Sequence, residues 1–432
     1  AIQNYFNTSF GNGSSTLNNL TLNMEDDSRL FIASNVEMNL SDTAATSLMT
    51  GITNAPNIIG SNYKTFMLYL SKLNINQSVD LNDPNNAYNK LEISNSTIEN
   101  ANSMTGSLNR QVAIAQENGN DTVGNGYDAN KVTLTNTASG VINLTGDEST
   151  GIYAKRGLIT NDGQISVGKK STGIYIAEDD RSPATATIGA KATNSSTGVI
   201  TLGEDSTGMY YKVESKGTNT AIGGGIINNG KIQSTANNVI AMSFDSPYGT
   251  KTFENSSTGV IELQGQNSTG MFATGTGTYT AKNDGTINLA SSTNVNTPNI
   301  GMYTEQSTVT FENNGTIHID SAGGQAYFNA QGGIIKNYGD IKIGDVTSGK
   351  NNTTSAKNIG SWAIYGYNIK TGKKSDGTQQ TIDIARNNYG IYSGDGNVNI
   401  DGTNFKVGND TVLGHVQTTS GSGAPSSYPI KR

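Results

Sequence analysis

Apolar and polar residues alternate along most of this chain in short stretches, the spacing of a strand with one buried face. The clearest stretches begin with a glycine, place isoleucine two residues later and usually place a second aliphatic residue two further on. Successive glycines are 23 to 35 residues apart, a loose period that is typical of a solenoid. The eight glycines are Gly140, Gly163, Gly198, Gly230, Gly259, Gly285, Gly315 and Gly339.

Two further strand-like stretches accompany most copies. One reads Ser-Thr-Gly, an aliphatic residue and an aromatic one, and the other leads into an asparagine with an apolar residue two positions before it. The sequence therefore predicts an all-β fold, a right-handed parallel β-helix (solenoid) with about three short strands per coil of roughly 23–35 residues. At ~4.8 Å per coil, about fifteen coils would form a rod roughly 70 Å long.

The isoleucine of each copy is predicted to stack on its equivalents in one buried column. The asparagine before each glycine should form a second column, hydrogen-bonded within the turn and between coils. The glycine itself is expected to allow a positive φ in that turn. The isoleucines are Ile142, Ile165, Ile200, Ile232, Ile261, Ile287, Ile317 and Ile341.

The repeats divide the chain into three parts. Residues 1–130 are predicted to form less regular coils, with short helical insertions at 42–51 and 107–117, where good helix formers cluster. Residues 131–407 should form regular β-helix repeats, and residues 408–432 an irregular linker or tail. The chain starts without methionine and ends in a Ser/Gly/Pro-rich stretch, so we expect it to be a piece of a longer protein.

The amino-acid composition argues against several classes of function. The chain has no cysteine, which excludes disulfides, thiol catalysis and thiolate metal sites. A net charge of −7 without a basic stripe argues against nucleic acid as a partner. No apolar stretch reaches the length of a membrane helix, so direct membrane insertion of this segment is not expected.

Catalytic chemistry finds little support in the sequence. The chain has only two histidines and no nucleophile motif, and we expect no enzyme activity, no cofactor and no metal. Carboxylates occur mostly in turns, including the pairs Asp147–Glu148 and Glu204–Asp205, which occupy the same turn of coils two apart. These pairs are interpreted as exposed, solubilising charge, with a calcium or sugar site as the alternative.

Aromatic residues recur at one position of the second strand, immediately after the inward-facing aliphatic residue. Alternation predicts that this column is at least partly exposed, with Tyr153, Tyr175 and Tyr210 stacked in successive coils, and it could hold sugar rings or a partner protein. The alternative is that the rings only stabilise one another. The column comprises Tyr153, Tyr175, Tyr210, Phe272, Tyr303, Tyr365 and Tyr392, and the candidate binding residues are Trp362, Tyr365, Tyr367, Tyr153, Tyr175 and Tyr210, with Trp362 as the principal one.

The Asn-x-Gly-x-Ile-x-Leu and Ser-Thr-Gly-Ile-Tyr elements resemble the passenger repeats of large fusobacterial type V autotransporter adhesins of the haemagglutinin-like type, over roughly residues 131–400. That resemblance implies a non-catalytic cell-surface adhesin, exported through the outer membrane of a Gram-negative bacterium. Its loops and one lateral face would bind a host-cell or bacterial glycan or protein. The alternatives are a filament or sheath protein, with coils stacking end to end as a homo-oligomer, and a polysaccharide-active β-helix enzyme.

Overall fold

A computed structural model describes residues 22–41, 58–60, 62–116, 132–179, 189–215, 223–248, 251–290, 297–306, 308–320, 324–329, 331–344, 362–385, 389–394 and 396–417. These residues form strands and turns and no helix. All strand pairs are parallel, and each strand pairs with its equivalents one coil before and one coil after it. The chain is a right-handed parallel β-helix, as the sequence predicts.

Three long sheets run the length of the helix. The asparagine sheet consists of Glu37–Asn39, Lys72–Ile75, Thr97–Asn100, Thr133–Asn136, Leu158–Asn161, Lys191–Asn194, Gly225–Asn228, Thr252–Asn255, Tyr279–Asn283, Val309–Asn313, Ile334–Asn337, Asn368–Thr371 and Val398–Asn399. The isoleucine sheet consists of Val79–Asp80, Ser103–Gly106, Val141–Leu144, Gln164–Val167, Val199–Leu202, Lys231–Ser234, Val260–Leu263, Thr286–Leu289, Thr316–Ile319, Asp340–Ile343, Gln380–Ile384 and Thr403–Val407.

The aromatic sheet consists of Val112–Gln116, Thr150–Ala154, Thr172–Asp179, Thr207–Ser215, Ile240–Asp245, Thr269–Thr274, Ile300–Thr304, Gln325–Asn329, Trp362–Gly366, Tyr389–Gly394 and Val412–Gln417. In the first coils a three-stranded sheet occupies the position of the aromatic sheet and consists of Arg29–Ser34, Lys64–Tyr69 and Leu91–Ser94. A two-stranded sheet pairs Leu22–Asn23 with Ile58–Ile59. The thirteen strands of the longest sheet correspond to a rod about 60 Å long at ~4.8 Å per coil.

The predicted isoleucine column is confirmed. All eight side chains pair in register with one another, from Ile142 to Ile341, and each is at most 1% exposed. The column continues to Met104 on one side and to Ile382 and Phe405 on the other. This unbroken register fixes which side chains of the neighbouring strands face outward.

Nine buried asparagines form a hydrogen-bonded ladder along one corner. The Nδ2 of each of the first eight donates to the Oδ1 of the next asparagine at 2.7–2.9 Å, and that of Asn337 donates to Gln380 Oε1 at 3.2 Å. Most also donate to the carbonyl of the glycine in their own turn, as Asn194 does to Gly198 at 3.2 Å. The members are Asn100, Asn136, Asn161, Asn194, Asn228, Asn255, Asn283, Asn313 and Asn337. The predicted asparagine column is therefore confirmed.

The glycines after these asparagines have a different role from the predicted one. None of the eight has a positive φ. Instead, a Cβ at Gly285 would lie 2.2 Å from the carbonyl oxygen of Gly259 in the preceding coil, and a Cβ at Gly198 would lie 2.3 Å from the Asn194 amide oxygen. Glycine is required because the coils and the ladder approach too closely for any side chain.

Two predictions for the less regular parts differ from the structure. Within 107–117, residues Val112–Gln116 form a strand that pairs with Thr150–Ala154 and buries Ile114, so the helical prediction is wrong there. Ladder hydrogen bonds and burial outweigh helix propensities of a few tenths of a kcal/mol per residue. The other predicted helix, 42–51, lies outside the described residues. Beyond residue 407, Val412–Gln417 continues the aromatic sheet, where an irregular tail was expected.

The described residues contain no helix that is long and apolar enough to cross a membrane.

Candidate functional site

The outward position of the aromatic sheet carries a column of rings, which we call the aromatic ladder. Register pairs link its members directly, as in Tyr153 with Tyr175 and Tyr175 with Tyr210. Phe328 belongs to the ladder although its strand lacks the Ser-Thr-Gly element, and it was missed from the sequence. The ladder comprises Tyr153, Tyr175, Tyr210, Phe272, Tyr303, Phe328, Tyr365 and Tyr392.

The rings of successive coils are in contact. Tyr175 and Tyr210 stack with centroids 4.9 Å apart and planes 9° from parallel, whereas Tyr153 meets Tyr175 edge-on at 5.5 Å. From Phe272 to Tyr392, centroid separations are 4.5–5.3 Å. Such aromatic contacts contribute about 0.5–1.5 kcal/mol per pair beyond area burial. The ladder therefore stabilises coil stacking even where it also offers a surface.

Ser243 interrupts the ladder. It pairs in register with Tyr210 on one side and Phe272 on the other and is 7% exposed. The rings consequently fall into two stacks, Tyr153–Tyr175–Tyr210 and Phe272 to Tyr392. The sequence repeat does not predict this interruption. The strand Ile240–Asp245, like the strand of Phe328, lacks the Ser-Thr-Gly element.

Exposure of the ladder is partial, as predicted for Tyr153, Tyr175 and Tyr210, whose side chains are half-buried. Phe272, Phe328, Tyr365 and Tyr392 are also half-buried. Tyr303 is 1% exposed, which contradicts its place in an exposed column. Its ring lies between Phe272 and Phe328, and its hydroxyl donates to the Glu305 carboxylate. The accessible ring surface thus extends along the first stack and is interrupted in the second at Tyr303.

The expectation that Trp362 is exposed is wrong. Its side chain is only 3% exposed, and its ring stacks on Tyr389 at 4.7 Å and meets His415 edge-on at 5.8 Å. The reason is the strand period: Trp362 lies two residues before Ile364, which is fully buried. Because Tyr365 is three residues further along, alternation directs the Trp362 and Tyr365 side chains to opposite faces of the strand.

We expect Trp362→Ala to lower the free energy of unfolding by about 3 kcal/mol, because a large buried ring leaves a cavity. As the only tryptophan, Trp362 also reports directly on its surroundings. Its emission in the native protein should be blue-shifted relative to the urea-unfolded chain. Emission at the wavelength of free tryptophan before unfolding would contradict the burial.

The remaining predicted residues, Tyr365 and Tyr367, lie close together near the end of the helix. Tyr365 stacks on Tyr392 at 4.5 Å, with planes 7° apart. Tyr367 is in the turn after the strand, outside the ladder. Burial, followed by the neighbouring Tyr392 and Tyr367 phenols, raises the pKa of Tyr365. Tyr365 and Tyr367 are therefore both half-buried neighbours, and the buried Trp362 ring also contacts Tyr392, at 5.5 Å.

Carboxylates line the edge of the first stack. The Tyr175 hydroxyl donates to the exposed Glu214 carboxylate at 3.0 Å, and burial, followed by Glu214, raises the pKa of Tyr175. Burial and then Asp245 and Glu214 raise the pKa of Tyr210. The face thus combines flat rings with hydrogen-bond acceptors and negative charge, a combination suited to hydroxylated, uncharged ligands.

Raised tyrosine pKa values make stability sensitive to alkaline pH. Above about pH 10, unfolded tyrosines lose protons that the native phenols retain, so the native state binds more protons and the free energy of unfolding falls as pH rises. We expect urea titrations to show lower stability at about pH 11 than at about pH 8. Tyr210→Phe should reduce this difference, and equal stability at both pH values would contradict it. The tyrosines concerned are Tyr63, Tyr88, Tyr175, Tyr210, Tyr279, Tyr327 and Tyr365.

The carboxylate pairs singled out in the sequence do share one corner, but cations neutralise them. Glu148 pairs with Arg110 at 2.6 Å, and Glu204 pairs with Lys169 at 2.7 Å from the intervening coil. The backbone adopts a positive φ at this corner in successive coils, including Glu148 and Asp205. Within the described part of the chain, no cluster of three histidines or carboxylates could hold a metal ion. Alternating charge along the turns fits the solubilising interpretation.

Comparison with known proteins gives one finding. Residues 247–374 match the family model described as BigA third pectate lyase-like domain. The match covers less than a third of the chain and includes the second stack except for Tyr392. No curated protein and no solved structure matches the chain. The similarity agrees with the parallel β-helix described above.

Proposed function

We propose that this chain is a non-catalytic, rod-shaped adhesin domain on the surface of a Gram-negative bacterium, exported through the outer membrane as the passenger of an autotransporter. Its receptor would be a glycan or protein of a host cell or another bacterium. The aromatic ladder is the observation that carries the proposal. Half-buried rings lie in register in three successive coils of the first stack and recur in the second stack, so the rod presents aromatic side chains along one side.

The first stack is the best-placed contact. Tyr175 and Tyr210 are stacked with nearly parallel planes and are half-buried, so they present ring edges along the rod. Glu214 and Asp245 supply acceptors beside them. Aromatic rings pack against the apolar faces of sugars, and carboxylates accept hydrogen bonds from hydroxyls. These features favour a neutral glycan as the receptor.

The experiment is binding of the purified chain to a glycan array and to intact bacterial and host cells. We expect Tyr175→Ala combined with Tyr210→Ala to weaken receptor binding by at least about tenfold, because aromatic anchors commonly contribute about 2 kcal/mol or more at an interface. Tyr338→Ala is the matched control, since Tyr338 is also half-buried but lies at the asparagine corner. Full binding by a folded double variant would contradict the proposal for this face.

Axial self-assembly into a filament or sheath is the second candidate. The last described coil leaves one edge of each long sheet without a further described strand. Apolar side chains there are exposed, namely Val398, Ile400, Val407, Val412 and Leu413. Open strand edges with apolar residues can template stacking. Concentration-dependent growth in sedimentation velocity, abolished by Leu413→Lys, would favour this candidate over adhesion by a single rod.

Polysaccharide cleavage is the third possibility, and β-helix enzymes provide its precedent. Under our proposal the chain releases no reducing ends from uronate or amino-sugar polymers, with or without added calcium. Release that depends on the concentration of purified chain would overturn the non-catalytic assignment.

A further inference from the structure

A cleft of about 560 Å³ lies near the first coils, on a different part of the molecule from the aromatic ladder. Its size is within the range of small-ligand sites. One wall follows three successive coils, and the other is the turn that leads from Val79–Asp80 to Leu91–Ser94. The lining residues are Asp27, Asn62, Tyr63, Lys64, Leu81, Asn82, Pro84, Asn89, Lys90 and Leu108.

The turn that forms the outer wall is held in one shape by its own hydrogen bonds. The Asn89 amide nitrogen donates to the carbonyls of Leu81 at 3.2 Å and Asp83 at 2.8 Å. The Asn82 side chain is fixed from outside the turn, since it donates to the Ser107 hydroxyl at 2.8 Å and accepts from Gln111 at 3.0 Å. The cleft is therefore preorganised, which reduces the entropy lost when a ligand binds.

Two lysine ammonium groups, those of Lys64 and Lys90, and one carboxylate, that of Asp27, line the cleft, so its lining carries a net positive charge. The Lys64 ammonium donates to the Asn89 carbonyl at 2.8 Å, and among the described residues no carboxylate is within ion-pair distance of it. The Lys90 ammonium lies 4.6 Å from the centre of the Tyr63 ring, and its residue is 8% exposed. Glu92, a nearby acid, is engaged by two hydrogen bonds from Arg29. Burial, followed by repulsion from Lys90, lowers the pKa of Lys64.

We propose that this cleft binds an acidic sugar, a hydroxylated ring that carries a carboxylate. The carboxylate would bind between the Lys64 and Lys90 ammonium groups, where charge-assisted hydrogen bonds are strong. The apolar face of the ring would pack on Pro84 and Leu81. Asn62 and Asp27, both exposed at the mouth, would bind the hydroxyls. The proposal does not depend on the adhesin function, because no residue of the aromatic ladder lines the cleft.

The test is isothermal titration of the whole chain with methyl glucuronide, free glucuronic acid and methyl glucoside. We expect saturable binding of the methyl glucuronide, weakened when salt is added, and no binding of the uncharged methyl glucoside. Equal binding of the free acid would mean that the cleft takes a soluble sugar, and preference for the methyl glycoside would indicate a glycan terminus. Either result supports the acidic-sugar site.

Two variants locate the site. Lys64→Gln should weaken methyl glucuronide binding at least about tenfold, because a charge-assisted contact is lost. Leu108→Trp should block the mouth without removing any charge, since Leu108 is 56% exposed. Lys370→Gln, an exposed lysine on the asparagine sheet, is the control. Proton uptake on binding at alkaline pH should accompany the wild-type titration, because a bound carboxylate raises the Lys64 pKa.

The proposal is overturned by three results: no saturable binding to the folded wild-type chain, equal binding of methyl glucoside, or unchanged binding in both Lys64→Gln and Leu108→Trp. The variant with Tyr175→Ala and Tyr210→Ala should bind methyl glucuronide like wild type. This last measurement separates failure of the cleft from failure of the ladder.

Discussion

Asn194→Ala is expected to lower the free energy of unfolding by about 3 kcal/mol, because the substitution breaks a buried hydrogen-bonded ladder in its middle. Asn194 is fully buried, accepts from Asn161 at 2.8 Å and donates to Asn228 at 2.8 Å. Alanine would leave the Asn228 oxygen without its donor in the interior. Urea unfolding followed by far-ultraviolet circular dichroism measures the loss.

Asn143→Ala is the control for this prediction. Asn143 lies in a strand of the isoleucine sheet, but its side chain is exposed. Its replacement should change the free energy of unfolding by no more than about 0.5 kcal/mol. Similar losses for the two variants would mean that the asparagine hydrogen bonds contribute nothing to the free energy of unfolding beyond the strands that carry them.

Lys251→Met is expected to destabilise the fold by about 3–5 kcal/mol, because it leaves the buried Glu178 carboxylate without its partner. The two groups are 3.2 Å apart, and their side chains are 1% and 6% exposed. Glu178 also accepts from the Ala190 backbone at 3.2 Å, so the pair ties together coils that are distant in sequence. Adding Glu178→Gln to Lys251→Met should recover much of the loss.

Arg110→Met provides the comparison, since it breaks an ion pair at the surface. The side chains of Arg110 and Glu148 are 79% and 45% exposed. Solvent screens such pairs, so the variant should unfold at the same urea concentration as wild type within experimental error. Equal effects of the buried and exposed substitutions would show that burial of the Glu178–Lys251 pair is unimportant.

The regular repeats could be predicted from the sequence because strand period and glycine spacing are both local signals. Ile142 and its equivalents occupy one phase of the alternation, which fixes the register of every coil. The role of Gly198 could not be predicted, since it depends on how closely the neighbouring coil approaches. The strand at Val112–Gln116 was missed for a similar reason: its partner strand, Thr150–Ala154, is remote in sequence.

The candidate face could be predicted only in part. Alternation correctly predicted the half-buried positions of Tyr153, Tyr175 and Tyr210. The same rule, applied from Ile364, places Trp362 in the interior. The prediction of an exposed Trp362 relied instead on its closeness in sequence to Tyr365 and Tyr367. The cleft with Lys64 and Lys90 carries no sequence motif, because it is assembled from three coils and a turn whose shape depends on hydrogen bonds between side chains and backbone.

Hydroxyl-radical footprinting of the chain bound to receptor-bearing cells tests the central claim most directly, because it reports which side chains the receptor covers. We expect reduced oxidation of Tyr153, Tyr175 and Tyr210 on binding, with Tyr338 oxidised as in the free chain. Unchanged oxidation of the three ladder tyrosines, with protection of Tyr338 or of the last described coil, would contradict it.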